Sequence, residues 1–300
     1  MNNFNKLGIN FTFKCAFSCA HCINNSSPKN TAVVSPSFLN KFLSGLDVGL
    51  VKEVSISGGE PFLFLNRLAK LLKILSKKKI RTVVITNSYW CSNYDETLET
   101  LRKIKFKDLF LLTSLNRFHL KFGNLDNLGN FLRACKHLRI ACGVNVLLND
   151  PDVKRYKRFV RRLNNDAKVS VFTLKRIGRA KESLFFKRKN ISEFTSCLAA
   201  RLNLNPLGQA SFCCINPKEF SPKSPLLLGN YKHRDISILL RIANSSNFIR
   251  FYTKYGPFGI YSILPASLKS RFSKKYADGC EFCLSLFKDK DVCRFVNKIF

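Results

Sequence analysis

Cys15, Cys19 and Cys22 stand close together in the stretch Cys-Ala-Phe-Ser-Cys-Ala-His-Cys. Thiolates spaced four and three residues apart can grip three irons of a cubane cluster and leave the fourth iron open to a substrate or cofactor. Zinc would require another protein ligand nearby, and His21, adjacent to Cys22, is badly placed to chelate the same ion. A second reactive stretch is Ser57-Gly58-Gly59-Glu60-Pro61. Its glycines let the backbone approach a ligand closely, and Glu60 offers a negative charge to an ammonium. Of the 12 cysteines, Cys91, Cys135 and Cys142 are isolated and read as buried small hydrophobes, whereas Cys197, Cys213, Cys214, Cys280, Cys283 and Cys293 fall in the last third of the chain. In a reducing compartment such a count points to metal or thiol chemistry rather than disulfides.

These groups need a scaffold that brings them together. From residue 9 to about 174, short β-branched or aromatic runs alternate with longer amphipathic stretches, the pattern of βα units around a parallel sheet. Strands are expected at 9–14, 53–57, 81–86, 109–115, 140–147 and 169–174, and helices at 36–47, 62–78, 95–105, 125–138 and 152–164. Ser35-Pro36 marks the start of the first helix and Asp150-Pro151-Asp152 that of the last. Periodicity suits a doubly wound sheet and an incomplete barrel equally. Barrel-type sites gather where strands end, and each of the first four expected strands runs into a polar or cysteine-bearing segment. After residue 175 the alternation fails. A loop-rich stretch at 205–230 and a basic, aromatic one to about 276 suggest an appended region whose weak core is stapled by metal. The chain is therefore divided into 1–180 and 181–300.

With 51 Lys+Arg against 19 Asp+Glu, the net charge of +32 would attract nucleic acid, an acidic peptide or lipid headgroups, unless it reflects a uniformly basic source proteome. A hydrophobic content of 46% excludes a disordered or fibrous chain. No apolar run has the length of a signal peptide or a spanning helix, so a soluble, cytoplasmic protein without a membrane partner is expected.

The CxxxCxxC pattern of Cys15, Cys19 and Cys22, followed by Gly58-Gly59-Glu60, resembles the radical S-adenosylmethionine (radical SAM) enzymes. The resemblance implies an α/β fold, a partial (β/α)6 TIM-like barrel, with a SAM-binding 4Fe-4S cluster on those cysteines. It also implies that Gly58, Gly59 and Glu60 hold the methionyl ammonium of SAM. Thr86-Asn87-Ser88-Tyr89-Trp90 and Ser114-Leu-Asn116-Arg-Phe118-His119 resemble the TNGYW and S-x-D-x-FH segments of a peptide-modifying subgroup, with Ser88 replacing the glycine and Asn116 the aspartate. Asn87, Ser114, Asn145 and Arg179 resemble positions that contact SAM or substrate; Arg179 could equally be a solvated charge, and His119 reads as structural. The later cysteines resemble a reduced SPASM or twitch appendix. Cys197, Cys213, Cys280 and Cys283 would complete a second, auxiliary 4Fe-4S cluster there, leaving Cys214 as a free thiol. The converse, with Cys214 as ligand and Cys213 packed inward, stays open.

Such an enzyme would cleave SAM reductively to a 5′-deoxyadenosyl radical and take a hydrogen atom from a ribosomally made peptide. The leading expectation is epimerisation of L- to D-residues with Cys214 or Cys213 returning hydrogen. Peptide cross-linking, RNA modification and a nonenzymatic iron-sulfur or zinc-binding regulator are the alternatives. No RNA-binding module is recognisable, and the intact Gly-Gly-Glu argues against a regulator. With the first strand expected near residue 9, an N-terminal peptide-recognition domain is not expected. The peptide would be held by the barrel mouth or a partner, through an acidic leader suited to the positive surface. A flavodoxin or ferredoxin would donate electrons.

Overall fold

The computed structural model describes residues 5–148, 150–183, 186–197 and 201–300. Six strands pair in parallel in their chain order: β1 (Lys6–Thr12), β2 (Glu53–Gly58), β3 (Arg81–Ile85), β4 (Leu109–Leu115), β5 (Ala141–Leu147) and β6 (Lys168–Phe172). They are joined by α1 (Pro36–Gly45), α2 (Leu65–Lys77), α3 (Tyr94–Ile104), α4 (Leu125–His137) and α5 (Val153–Leu163). A doubly wound sheet must reverse its strand order at a switch point. This sheet does not, so the architecture is the incomplete barrel.

Each helix lies where its apolar spacing and caps require. Ser35 accepts the amide of Phe38 and Pro36 opens α1. Asn93 accepts the amides of Asp95 and Glu96 at the start of α3, and Asn124 caps α4. The face of α2 made by Leu68, Leu71, Leu72 and Leu75 is buried. At about 25 cal/mol per Å² of apolar surface, such a stripe favours packing by several kcal/mol.

β1 runs three residues earlier at its start than the expected 9–14, because pairing with β2 begins at Lys6 opposite Glu53, where an ion pair forms. It ends at Thr12, whose carbonyl accepts Gly59 N–H and whose hydroxyl donates to Ala32. Thr86 leaves β3 for a similar reason, described below.

The strand Leu202–Leu204 pairs in parallel with β1, and the antiparallel strands Gln209–Ser211 and Leu227–Asn230 extend the same sheet. Helices follow at Ile236–Ser245, Asn247–Ile263, Gly279–Lys288 and Lys290–Ile299. The expectation of a weak core after residue 175 is corrected here. Leu239, Leu240, Ile249, Ile260, Phe282 and Phe287 are buried in the same connected core as Leu7 and Ile9 of β1. The signal was present, since Ile236, Leu239, Leu240 and Ala243 recur at helical spacing, although Ile238 and Ile242 on the other side of the helix blur the stripe. Among the described residues no helix is long and apolar enough to cross a membrane.

Candidate functional site

The loop carrying Cys15, Cys19 and Cys22 leaves the carboxyl end of β1 and is fixed from two sides. From β2, Gly59 N–H donates to Thr12 (2.6 Å), and Glu60 N–H donates to Lys14 (2.9 Å). From the segment after β6, Arg179 donates its backbone N–H to Cys22 (3.1 Å), Nε to Cys19 (2.9 Å) and Nη2 to Ser26 (2.7 Å). Arg179 is thus no solvated charge; its guanidinium holds the carbonyls of the cysteine loop. Gly178, at φ +58°, is pressed so close that a Cβ there would lie 2.3 Å from the Cys22 carbonyl oxygen. Asn87 donates Nδ2 to Cys15 Sγ at 3.4 Å, and Phe17 N–H points to the same sulfur. Burial pushes the Cys15 thiol up to about 11 and the Cys19 thiol to about 12. Any metal they bind must therefore displace their protons.

Glu60 departs from the expectation of a direct contact with an ammonium. Its carboxylate is fully buried and accepts from Phe62 N–H (3.1 Å), Thr86 Oγ1 (2.9 and 3.0 Å) and Asn87 N–H (2.7 Å). The side chain therefore locks the ends of β2 and β3 together, and the backbone beside it faces the pocket. Thr86, which sequence reasoning passed over, also accepts from Ser88 N–H and Trp90 Nε1, while Trp90 stacks on Phe62 at 4.1 Å.

Burial raises the Glu60 carboxyl from 4.5 to about 7, against the lowering effect of its hydrogen bonds. A raised folded pKa means that the protonated side chain suits the fold better. Its contribution is present in full below pH 4.5 and is lost as pH rises through 7. Glu60→Gln cannot accept the Asn87 amide with its own NH₂ and should be destabilised by about 1–3 kcal/mol. Its thermal unfolding in the metal-free form should nevertheless lose less stability than the wild type as pH rises from 4.5 through 7. Equal slopes would count against this account of Glu60.

The strand ends enclose a pocket of about 420 Å³. Cys15, Cys19, Cys22, Gly58, Gly59, Asn87, Ser114, Asn145, Arg179 and Cys214 all line it, whereas Glu60, Cys197, Cys213, Cys280 and Cys283 do not. Its volume is that of a small-molecule site. Among the described residues its charged lining is wholly cationic: Lys175, Arg179 and Arg201. His21 Nδ1, Asn24 Oδ1 and Ser26 Oγ are buried on this wall without hydrogen-bond partners. Unsatisfied buried atoms are costly, and these three belong to residues that line the pocket. Among the described residues, no three metal-binding side chains converge on one ion. A cubane gives each thiolate its own iron, so a cluster does not ask for such convergence. The three buried or half-buried thiols around an open pocket fit that group.

His119 is half-buried on the pocket wall, and burial of its ring, reinforced by His21, pushes its pKa down to about 3. Asn116 Oδ1 accepts from Phe118 N–H and His119 N–H, so its Nδ2 is the group that donates to His119 Nδ1 at 2.9 Å. That fixes the neutral Nε2–H tautomer. The asparagine is thus matched to a neutral histidine, and the structural reading of His119 fits this arrangement.

Behind Cys214 lie the other late cysteines. Cys283 interacts electrostatically with Cys197, Cys280 and Cys214, and Cys213 with Cys283. Tyr252 meets Cys283 Sγ at 3.1 Å. Cys213 accepts from Ile215 N–H and hydrogen-bonds Cys214, whose thiol is thereby lowered to about 7, with burial opposing and Arg201 and Lys175 assisting. Of the adjacent pair, only Cys214 lines the pocket, while both interact with Cys283 and Cys214 also with Cys280. Cys91, Cys135 and Cys142 are buried as small apolar groups, and Cys293 is buried in the core.

Residues 9–149 match the sequence profile of the radical SAM superfamily. A putative peptide biosynthesis protein of Bacillus subtilis (strain 168), YydG, is 24% identical over 201 residues, which cover 64% of this chain and 61% of that protein. The chain thus spans less than two thirds of that curated relative. Among solved structures, anSMEcpe with bound AdoMet superposes with a TM-score of 0.58 at 10% identity, covering 98% of this chain and 96% of that one. Streptococcus suis SuiB bound to precursor peptide SuiA superposes with a TM-score of 0.59 at 15% identity, covering 84% and 67%.

Proposed function

Because the chain carries a radical SAM domain over residues 9–149, we propose that it is a radical SAM peptide maturase that inverts α-carbons, converting L- to D-residues. The observation that carries this reading is that Cys214 opens onto the same pocket as Cys15, Cys19 and Cys22. Peptides as the substrate class are supported by the relative named for peptide biosynthesis and the neighbour bound to a precursor peptide.

Cys15, Cys19 and Cys22 would hold the SAM-binding cluster, and Cys197, Cys213, Cys280 and Cys283 an auxiliary one. Bound there, the first cluster and SAM supply one-electron cleavage of SAM and removal of a hydrogen atom from an unreactive carbon. The chain's own groups do the rest. Gly58, Gly59, Asn87, Ser114 and Asn145 fix the cofactor, and Phe17 and Phe172 on the lining keep water from the reacting carbon. The Cys214 S–H then gives its hydrogen atom to the opposite face of the carbon, leaving a sulfur radical that one electron and one proton restore. A flavodoxin- or ferredoxin-type donor would supply that electron. In the metal-free chain Cys213 donates to Cys214 and lowers its thiol; as a cluster ligand Cys213 would have no proton to donate, which would leave the hydrogen on the sulfur that lines the pocket.

Anaerobic turnover of a candidate peptide in deuterated water tests this. Inversion exchanges one α-hydrogen for one deuterium with no other loss of hydrogen, whereas cross-linking, the second reading, removes two. A peptide that loses two hydrogens and gains no deuterium would overturn the epimerase in favour of that alternative.

A further inference from the structure

β6 is an edge of the sheet. It pairs with β5 alone, and among the described residues nothing is bonded along its other side. Phe172 turns its carbonyl toward β5, where it accepts Leu148 N–H at 2.9 Å. Backbone groups alternate sides along a strand, so Lys168 and Ser170 also face β5, while Val169 and Val171 present theirs to the open side. Both faces of this edge are partly open: Ser170 and Val171 project to opposite faces and are exposed, while Val169 and Phe172 are half-buried against the core. Proteins ordinarily blunt such an edge with proline, bulges or several charges. Here Lys168 is the only charged residue of β6.

Two further features point to an occupant. β6 leads straight into Phe172, Thr173, Leu174 and Lys175 on the pocket wall, so a chain lying along the edge would be carried to the site. The helix before it, α5, buries Tyr156 and Val160 and turns Lys154, Arg155, Arg158, Arg161 and Arg162 to solvent. We propose that β6 is the docking edge for an acidic, extended segment of the peptide substrate, added as a further strand whose backbone pairs with Val169 and Val171 and whose carboxylates face α5. Main-chain pairing would supply the grip and the basic helix the selectivity. This rests on a peptide being the substrate, but it is tested by binding rather than by turnover.

The probe is an alternating glutamate–valine peptide of about ten residues, long enough to span a strand of ordinary length. Its affinity for the reconstituted protein is compared with that of a form N-methylated at every second residue and a lysine–valine counterpart. Proline is tolerated where a strand's N–H faces outward, so Val171→Pro removes the outward donor and leaves the β5 ladder in place. Each lost backbone bond in this site should weaken binding by about tenfold. Val171→Pro and one register of N-methylation should each show that loss, and the lysine–valine peptide should not bind. Release of 5′-deoxyadenosine without peptide should be unchanged in Val171→Pro, which shows that the barrel is intact. Arg158→Glu should weaken binding of the glutamate–valine probe without touching the edge. Unchanged affinity in Val171→Pro with an intact barrel would overturn the proposal, as would equal binding of the lysine–valine peptide. If docking holds while deuterium is never incorporated, the edge survives and the inversion chemistry fails.

Discussion

Cys214→Ser should reduce return of hydrogen to the substrate by about a hundredfold or more, while iron content and reductive release of 5′-deoxyadenosine stay at wild-type levels. Serine is close to cysteine in shape, but its O–H bond is too strong to give a hydrogen atom to a carbon radical. The variant should therefore still open the reaction and be unable to close it. The measurements are deuterium at the α-carbon, iron per chain and 5′-deoxyadenosine per turnover, made together. Cys213→Ser should behave differently because Cys213 lies off the pocket beside Cys283, within the buried group that includes Tyr252. Its expected signature is loss of iron. Should Cys213→Ser keep its iron and lose deuterium return, the two roles are exchanged. Should both variants keep full activity, no thiol at this position donates hydrogen.

The sequence told more about where the chemistry sits than about how the chain holds it. The strand and helix periods were readable because β4 alternates buried and half-buried residues along its length and α2 repeats its leucines on one face. Strand order was not readable, since a parallel sheet gives the same local period whether it closes or reverses. The glutamate of Gly-Gly-Glu read as a ligand for an ammonium, yet its partners are Thr86, Asn87 and Phe62, brought to it only by the fold. Ser88 is a similar case. It stands where the resembling motif has glycine, and its φ of 54° explains that preference. Its hydroxyl recovers part of the cost by donating to the Asn87 carbonyl at 2.8 Å and meeting Thr113 at 3.2 Å. Arg179 could be named from its motif, but its work on the carbonyls of Cys19 and Ser26 depends on the segment after β6 reaching back to the loop after β1.

That reach-back makes the glycines beside the cysteine loop the most sensitive points of the scaffold. At Gly59 an added Cβ would lie 2.0 Å from the Lys14 carbonyl oxygen and 3.2 Å from Cys15 Cβ. No side-chain rotation relieves a clash with a carbonyl, so Gly59→Ala must push the cysteine loop off β2 or break the Gly59–Thr12 and Glu60–Lys14 bonds. Either outcome shifts Cys15 relative to Asn87, which now approaches its sulfur at 3.4 Å. A displacement of about 1 Å in a site of this kind costs about a hundredfold in rate, and that loss is expected in 5′-deoxyadenosine release. Gly129→Ala supplies the comparison: Gly129 is buried, but its added Cβ would meet Leu163 at an ordinary 3.6 Å, and helix propensity favours alanine. Gly129→Ala should keep wild-type iron and activity, and Gly59→Ala should fold with α/β circular dichroism while losing iron, cleavage or both. If Gly59→Ala cleaves SAM as fast as the wild type, the close seating of the cysteine loop on β2 is not what positions the site.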